Sequence, residues 1–335
     1  MLDIRLIREN PKLAEDSLKK RGDTEKIKDL GELIKSDEQR RELIKKTELL
    51  KKKRNEITRE ISALKAKGKP AEDILKQARK LDSEIEDSDK ELGKLNEKSH
   101  KILMNLPNIL HDSVPSGRDE NDNVVIKTDG KLKFDFEPKN HLDLALSLGL
   151  IDEERAAKAA GRGFFYLKNE LALLDFAIIR YAADFLMKKG FALIEPPFML
   201  RRKPYEGVVS LQDFENVMYK IEGEDFYMIA TSEHAIASML MDEVVLEKDL
   251  PLKFAGVSPC FRKEIGAHGK YTKGLFRVHQ FNKVEQFVFC KPEESWQLFE
   301  ELQKNSEQLY QNLGIAFRTV SVCTKPFTGA PSFSL

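Results

Sequence analysis

The sequence predicts an α+β protein: an N-terminal antiparallel helical hairpin, then a largely antiparallel β-sheet flanked by helices. Three observations point there. Apolar residues between Ser36 and Leu103 step alternately by four and three, with one break. Beyond residue 130, short strand-like runs and helical runs follow each other without the regular spacing of βαβ units. No glycine-rich phosphate loop is present.

The bulk numbers exclude more than they select. The chain has 335 residues, room for two domains. Its 56 basic and 56 acidic residues cancel, so net charge names no partner. No run of about 18 apolar residues could span a bilayer. The start, MLDIRLIREN, carries acids and no apolar core, unlike a signal peptide. Cys260, Cys290 and Cys323 lie about thirty residues apart, which suits neither a disulfide framework nor a zinc knuckle. The expectation is a reduced cytoplasmic protein with no metal-ligand set, and with neither membrane nor DNA as a partner.

The hairpin comes first. Leu43, Thr47, Leu50, Arg54, Ile57, Ile61 and Leu64 form one half of an a/d seam. Ile74, Ala78, Leu81, Ile85, Ser88, Leu92, Leu95, Ser99 and Ile102 form the other. Gly68-Lys69-Pro70 lies between them, with Gly suited to close one helix and Pro to open the next. Ser36 with Gln39 reads as a capping box at the start. Two helices of about thirty residues give a hairpin about 45 Å long. From Asp37 to Lys69 there are twelve basic and six acidic residues; from Pro70 to Leu103, seven and nine. A one-sided basic helix suits a polyanion such as an RNA backbone, and equally a plain solvated coiled-coil surface.

Residues 111–130 are polar and turn-rich and read as a linker. After them, Leu171, Leu174, Ile178, Tyr181 and Phe185 mark one face of a helix closing at Lys188-Lys189-Gly190. Strands are expected at 191–195, 226–231, 252–257, 274–281, 284–290 and 315–323, with helices at 232–246 and 292–313.

The chemistry concentrates between Ser258 and Phe287, where six basic residues face one acid from Phe261 to Lys283. Arg262 and Glu264, two apart, share a face; so do Arg277, His279 and Phe281. Guanidinium forks suit a phosphate and a ring suits a nucleobase, so the surface fits a nucleotide. A hairpin with a basic, solvated tip fits the same residues.

Here the chain resembles a known family. Phe261-Arg262-Lys263-Glu264, the basic loop and GLFRVHQF are similar to motif 2 of class II aminoacyl-tRNA synthetases (about 258–289), and KGFALIEPPFM to motif 1 (about 176–198). Ala230-Thr231-Ser232-Glu233 resembles the Thr-x-Glu loop of seryl-tRNA synthetases, and Val284-Glu285-Gln286-Phe287 the segment after motif 2. The N-terminal MLDIRLIREN and the hairpin resemble that family's tRNA-binding arm. The resemblance implies an arm over 1–110, a linker over 111–130 and a class II catalytic domain over 131–335.

It also implies roles. Arg262 would hold the ATP α-phosphate and serine carboxylate and serve as the catalytic cation. Lys263 and Glu264 would join it at ATP, Arg277 would bind phosphate, Val278 would touch the base through its backbone, and Phe281 would stack on adenine. Thr231, Ser232, Glu233 and Glu285 would bind serine. Lys51, Lys52, Lys53 and Arg54 would contact serine tRNA. His279 reads as an orienting residue and His234 as structural. ATP with Mg²⁺ is implied as substrate, with L-serine, without a tightly bound cofactor, in a cytoplasmic homodimer. The family continues after Thr324 with a glycine-rich strand and motif 3, whereas KPFTGAPSFSL shows neither. The chain therefore reads as truncated before motif 3, and a non-catalytic tRNA- or nucleotide-binding paralogue is the second reading.

Overall fold

Local capping sets the first elements of the computed structural model, which describes residues 2–131, 133–209, 217–263 and 275–324. Asp3 caps α1 (Ile4–Glu9), and Asn10 both ends α1 and caps α2 (Pro11–Arg21), with Pro11 at the first helical position. Two long helices follow, α3 (Thr24–Ala66, 43 residues) and α4 (Glu72–Asn105, 34 residues). At 1.5 Å per residue α3 alone runs about 65 Å. Residues up to Arg118 form one compact unit, and those from Asp119 onward a second.

The helix expected to begin at Ser36 begins at Thr24, capped by Asp23 through Lys26 N–H at 3.1 Å. Its added turns have a different purpose from the seam. Leu30 and Leu33 pack with Ile7, Ala14, Leu18, Leu103 and Leu106 in a core at the base of the hairpin. Ser36 is not a cap but a buried seam residue, its Oγ 3.1 Å from Ser99 Oγ on α4. Thr47 and Ser88, also buried in the seam, donate to the carbonyls of Leu43 and Glu84, each at 2.8 Å. Each polar interruption thus finds its own partner. Beside Ser36, buried Asp37 accepts from Arg8 Nε and Nη2, both at 2.7 Å, which holds its carboxyl below the usual range. Gly68 turns the chain with φ +64°, and Pro70 precedes α4 rather than opening it.

The stretch read as a linker contains a strand, and this corrects the expectation. β1 (Val124–Asp129) pairs antiparallel with β9 (Phe317–Ser321). Its Val-Val-Ile run favours strand, but the partner lies so far along the chain that local pattern could not supply it.

Between them come α5 (His141–Ser147), β2 (Ile151–Asp152), α6 (Glu153–Ala160), β3 (Tyr166–Leu167) and α7 (Asn169–Lys188). β4 (Ala192–Ile194), β5 (Met199–Leu200), α8 (Arg202–Glu206), β6 (Tyr227–Met228) and α9 (Ser232–Met239) follow. β7 (Leu252–Phe261), β8 (Gln280–Phe289) and α10 (Ser295–Asn312) complete the unit. The largest sheet among the described residues is mixed, in order β4-β7-β8, with β4 parallel and β8 antiparallel to β7.

Two expected strands, 274–281 and 284–290, are one: β8 runs unbroken through Asn282-Lys283, and Leu275 to Arg277 form a turn. The helix expected to reach Leu246 stops at Met239, and Asp242 then adopts φ +62°. Of the strand expected at 226–231 only Tyr227–Met228 forms. On α7 the buried positions are Ala182, Ala183 and Leu186, while Leu174 and Ile178 are exposed. No helix among the described residues is long and apolar enough to cross a membrane.

The β7–β8 register divides this sheet into two faces. Ala255 pairs with Gln286 and Lys253 with Val288; this face packs Ala255, Val284 and Val288 against Phe185 and Leu186 of α7, with Phe191 and Leu302. Gly256, Ser258 and Cys260 pair with Glu285, Lys283 and Phe281, and form the other.

Candidate active site

The second face carries the charge. Along β8, Phe281, Lys283 and Glu285 point the same way, about 7 Å apart at 3.4 Å per residue. Opposite them, α9 lies close against Gly256. A Cβ there would fall 2.6 Å from Ile236 Cδ1 and 2.9 Å from Ser232 Oγ. Without a side chain at Gly256 the helix packs directly on the strand, and the N-terminus of α9 comes beside Glu285.

Thr231 caps that helix. Its Oγ1 accepts from Glu233 N–H at 3.2 Å and donates to Glu285 Oε2 at 3.0 Å. The same Glu285 oxygen pairs with Lys283 Nζ. Glu233 comes near enough to share this field: burial raises its pKa, the Glu285 charge raises it further, and Lys283 and Arg262 oppose both. The site therefore holds two carboxylates that a bound cation would relieve.

Arg262 follows β7 directly. Its Nε donates to Ala230 O at 3.3 Å, and its guanidinium lies 5.1 Å from the Phe281 ring centroid. Its N–H donates to His279 O at 3.0 Å, which extends the β7–β8 ladder one rung beyond the strands. Lys263 N–H donates to Val217 O at 2.8 Å.

The fold thus brings together Thr231, Glu233, Arg262, Phe281 and Glu285. Other expected positions fall differently. Ser232 is fully buried, its hydroxyl at the contact between the helix and Gly256 of the strand. Arg277 and His279 do not share a strand face with Phe281, because β8 begins only at Gln280. Arg277 is exposed in the preceding turn and Val278 is buried. Glu264 lies outside the described residues. Lys51, Lys52, Lys53 and Arg54 belong to α3, where Lys51 pairs with Asp89 at 3.2 Å and Arg54 with Asp82 at 3.0 Å. Lys52 and Lys53 are exposed, with no ion pair among the described residues.

His234 is buried with its ring edge-on to Tyr205 at 5.2 Å. Burial, with help from the Lys283 and Arg262 charges, pulls its pKa down to about 3, so it is neutral at physiological pH. Lys283 escapes the sequence reading. A signal for it exists, since it stands midway between Phe281 and Glu285 in a period-two run. Among the described residues no three His, Cys, Asp or Glu side chains gather as a metal site.

Residues 1–110 match the model for the seryl-tRNA synthetase N-terminal domain, and residues 216–333 the tRNA synthetase class II core domain (G, H, P, S and T). The chain is 51% identical over 325 residues to a serine–tRNA ligase of Methanocella arvoryzae, covering 97% of this chain and 76% of that protein. The chain belongs to the seryl-tRNA synthetase family.

A crystal structure of seryl-tRNA synthetase from Pyrococcus horikoshii complexed with ATP superposes with TM-score 0.89 at 46% identity, covering 97% of this chain and 78% of that one. Cytoplasmic serine–tRNA ligase from Naegleria fowleri in complex with AMP gives 0.83 at 33%, covering 98% and 77%. This chain thus spans about three quarters of its synthetase relatives. The core-domain match runs to residue 333 and so takes in most of Lys325–Leu335, the segment in which the sequence reading found neither the glycine-rich strand nor motif 3.

Proposed function

We propose that this protein is a serine–tRNA ligase: it joins L-serine to ATP as seryl-adenylate, releases pyrophosphate, and passes the seryl group to a ribose hydroxyl of serine tRNA. The observation that carries this reading is the 51% identity to a serine–tRNA ligase across 97% of the chain. The polar face of β8 supports a division of labour. Glu233 and Glu285, with Thr231 between them, suit the serine ammonium, which would relieve their mutual repulsion. Phe281 suits the adenine ring. Arg262, lying over that ring, and Lys283, between the two ends, suit the carboxylate and α-phosphate where they meet.

The first step asks for placement rather than for a protein nucleophile. A serine carboxylate oxygen, already anionic, attacks the α-phosphorus; the bond to the bridging oxygen breaks and pyrophosphate leaves. Mg²⁺ would arrive on the phosphates as part of the substrate. In the second step a tRNA ribose oxygen attacks the seryl carbonyl carbon and AMP departs. Positive groups fixed where negative charge builds up supply the catalysis.

The exposed basic side of α3, with Lys52 and Lys53 unpaired among the described residues, is the surface offered to tRNA. Leu173, Leu174, Phe176 and Ile178, exposed on α7 at the start of the motif 1 region, suit the interface of a homodimer working in the cytoplasm. The test is ATP–pyrophosphate exchange by the complete gene product with serine, alanine and threonine, followed by charging of serine tRNA. Serine-dependent exchange and charging are expected. Exchange with alanine as fast as with serine would sink the reading, because a site that pairs the hydroxyl rejects its absence by about 10⁴-fold or more.

A further inference from the structure

We infer that His279 is a positioning residue: it fixes the main chain of Arg262, and the turn at residues 161–164 braces it from behind. The inference rests on the role proposed above for Arg262 and adds what holds that residue in place. The Arg262 carbonyl can only accept a hydrogen bond, and His279 Nδ1 lies 2.8 Å from it. In the tautomer protonated at Nδ1, the ring donates to that carbonyl. Tyr219 Oη lies 2.8 Å from the same nitrogen and holds the ring from a second side. A second bond returns in the opposite direction, from Arg262 N–H to His279 O at 3.0 Å. Arg262 is thus gripped at both its amide and its carbonyl by one residue.

His279 is in turn held by a segment distant in sequence. Its N–H donates to Gly163 O at 3.0 Å, and its ring stacks on Phe164 with centroids 5.0 Å apart and planes at 21°. Gly163 is required here for two reasons. Its φ is +84°, which side chains with a Cβ rarely adopt, and a Cβ would stand 2.7 Å from His279 Cδ2. The guanidinium itself has looser ties, a 3.3 Å bond to Ala230 O and the ring contact at 5.1 Å. Its location therefore depends on where the main chain of Arg262 is set. That is what the His279 clamp decides.

Substitution separates this role from a merely structural one. In the complete synthetase, His279→Ala is expected to lower kcat for serine-dependent pyrophosphate exchange by about 10²-fold, the cost of about 1 Å of misplacement. KM for serine and ATP should change far less, because Arg262 meets charge that develops in the transition state. His279→Asn places an amide N–H where Nδ1 stood and should restore most of kcat. His279→Gln, whose donor lies one atom further out, should not. Gly163→Ala should reproduce the His279→Ala pattern, and the double variant should be little worse than either single one.

Rates are taken per titrated active site on variants shown to be folded by thermal unfolding. If His279→Ala does not fold, the comparison of Asn with Gln carries the test alone. Unchanged kcat in His279→Ala, equal loss in Asn and Gln, or a loss confined to the amount of folded protein overturns the inference and leaves the synthetase reading intact. Wild-type enzyme without serine-dependent exchange overturns both.

Discussion

The two units of this protein are both rich in charge and use it in opposite ways. On the hairpin, pairs such as Lys51–Asp89 and Arg54–Asp82 lie with both partners about half exposed. Screened by water, such pairs are worth less than about 1 kcal/mol each, so they decorate the surface without setting the fold. On the inner face of β7 and β8, by contrast, Glu233, Arg262, Lys283 and Glu285 act on one another at reduced exposure, and the carboxyl of Glu233 and the ring of His234 are both displaced from their ordinary titration. Burial makes the same charges energetically consequential. Charge at a solvated surface governs encounter, and charge against a sheet governs chemistry. Asp37 shows that the first unit can also bury a carboxylate, but there the bidentate Arg8 pair neutralises it locally.

The sharpest test of this contrast is at Arg262. Arg262→Ala should lower adenylate formation by about 10²–10³-fold, the usual cost of removing one preorganised donor to developing charge. Phe281→Ala should instead raise KM for ATP about 10-fold, since stacking is worth about 1–3 kcal/mol and serves ground and transition states alike. A large fall in kcat from Phe281→Ala with ATP affinity intact would contradict this assignment.

His234 supplies the next effect, visible in pH. Its folded pKa, about 3, lies below the ordinary value of 6.5. Above pH 6.5 neither state binds the proton and nothing is lost. As pH falls below 6.5 the unfolded chain takes up a proton that the folded chain refuses, so stability declines by about 1.4 kcal/mol per pH unit down toward pH 3. Chemical denaturation at pH 7, 6 and 5 should show this slope in the wild type and less of it in His234→Asn. Identical slopes in both proteins would remove His234 as the cause.

On the hairpin the effects should be smaller and sensitive to salt. Replacing Lys52 and Lys53 by Gln should weaken serine tRNA binding and flatten its dependence on salt, by roughly one unit of slope for each phosphate that is no longer neutralised. Adenylate formation should be untouched. Replacing Lys51 and Arg54, already paired with α4, should weaken binding less than that. Wild-type binding by both double variants across several salt concentrations would exclude this side of α3 as the tRNA-binding surface.

The smallest effect expected is in the seam. Ser36→Ala should cost about 1 kcal/mol by leaving Ser99 Oγ without its partner, and Ser99→Ala in the same chain should restore much of it. A double variant as unstable as the sum of the singles would mean that the two hydroxyls act independently.

How legible each unit is follows from the range of the forces that build it. The heptad stepping alone marks the seam residues, down to Thr47, Ser88 and Ser99, all buried. What it misses is the first three turns of α3, because Leu30 and Leu33 answer to α1 and α2 rather than to the seam. In the second unit the residue types of Thr231, Glu233, Arg262, Phe281 and Glu285 announce an anion, a cation and a flat ring. The sequence does not separate Thr231 from its neighbour Ser232; only the approach of α9 to Gly256 shows that the Ser232 hydroxyl packs against the strand while Thr231 caps the helix.

The sequence by itself thus determined the architecture of the hairpin, the chemical vocabulary of the site and the family to which both belong. These depend on periodicity and residue type, which are local properties of the chain. The tertiary structure alone decided that β1 pairs with β9, that Lys283 lies opposite Ser258, and that Gly163 and Phe164 support His279. Each of these joins segments whose meeting is fixed by register and close packing, and neither property is encoded in the short-range pattern of either segment.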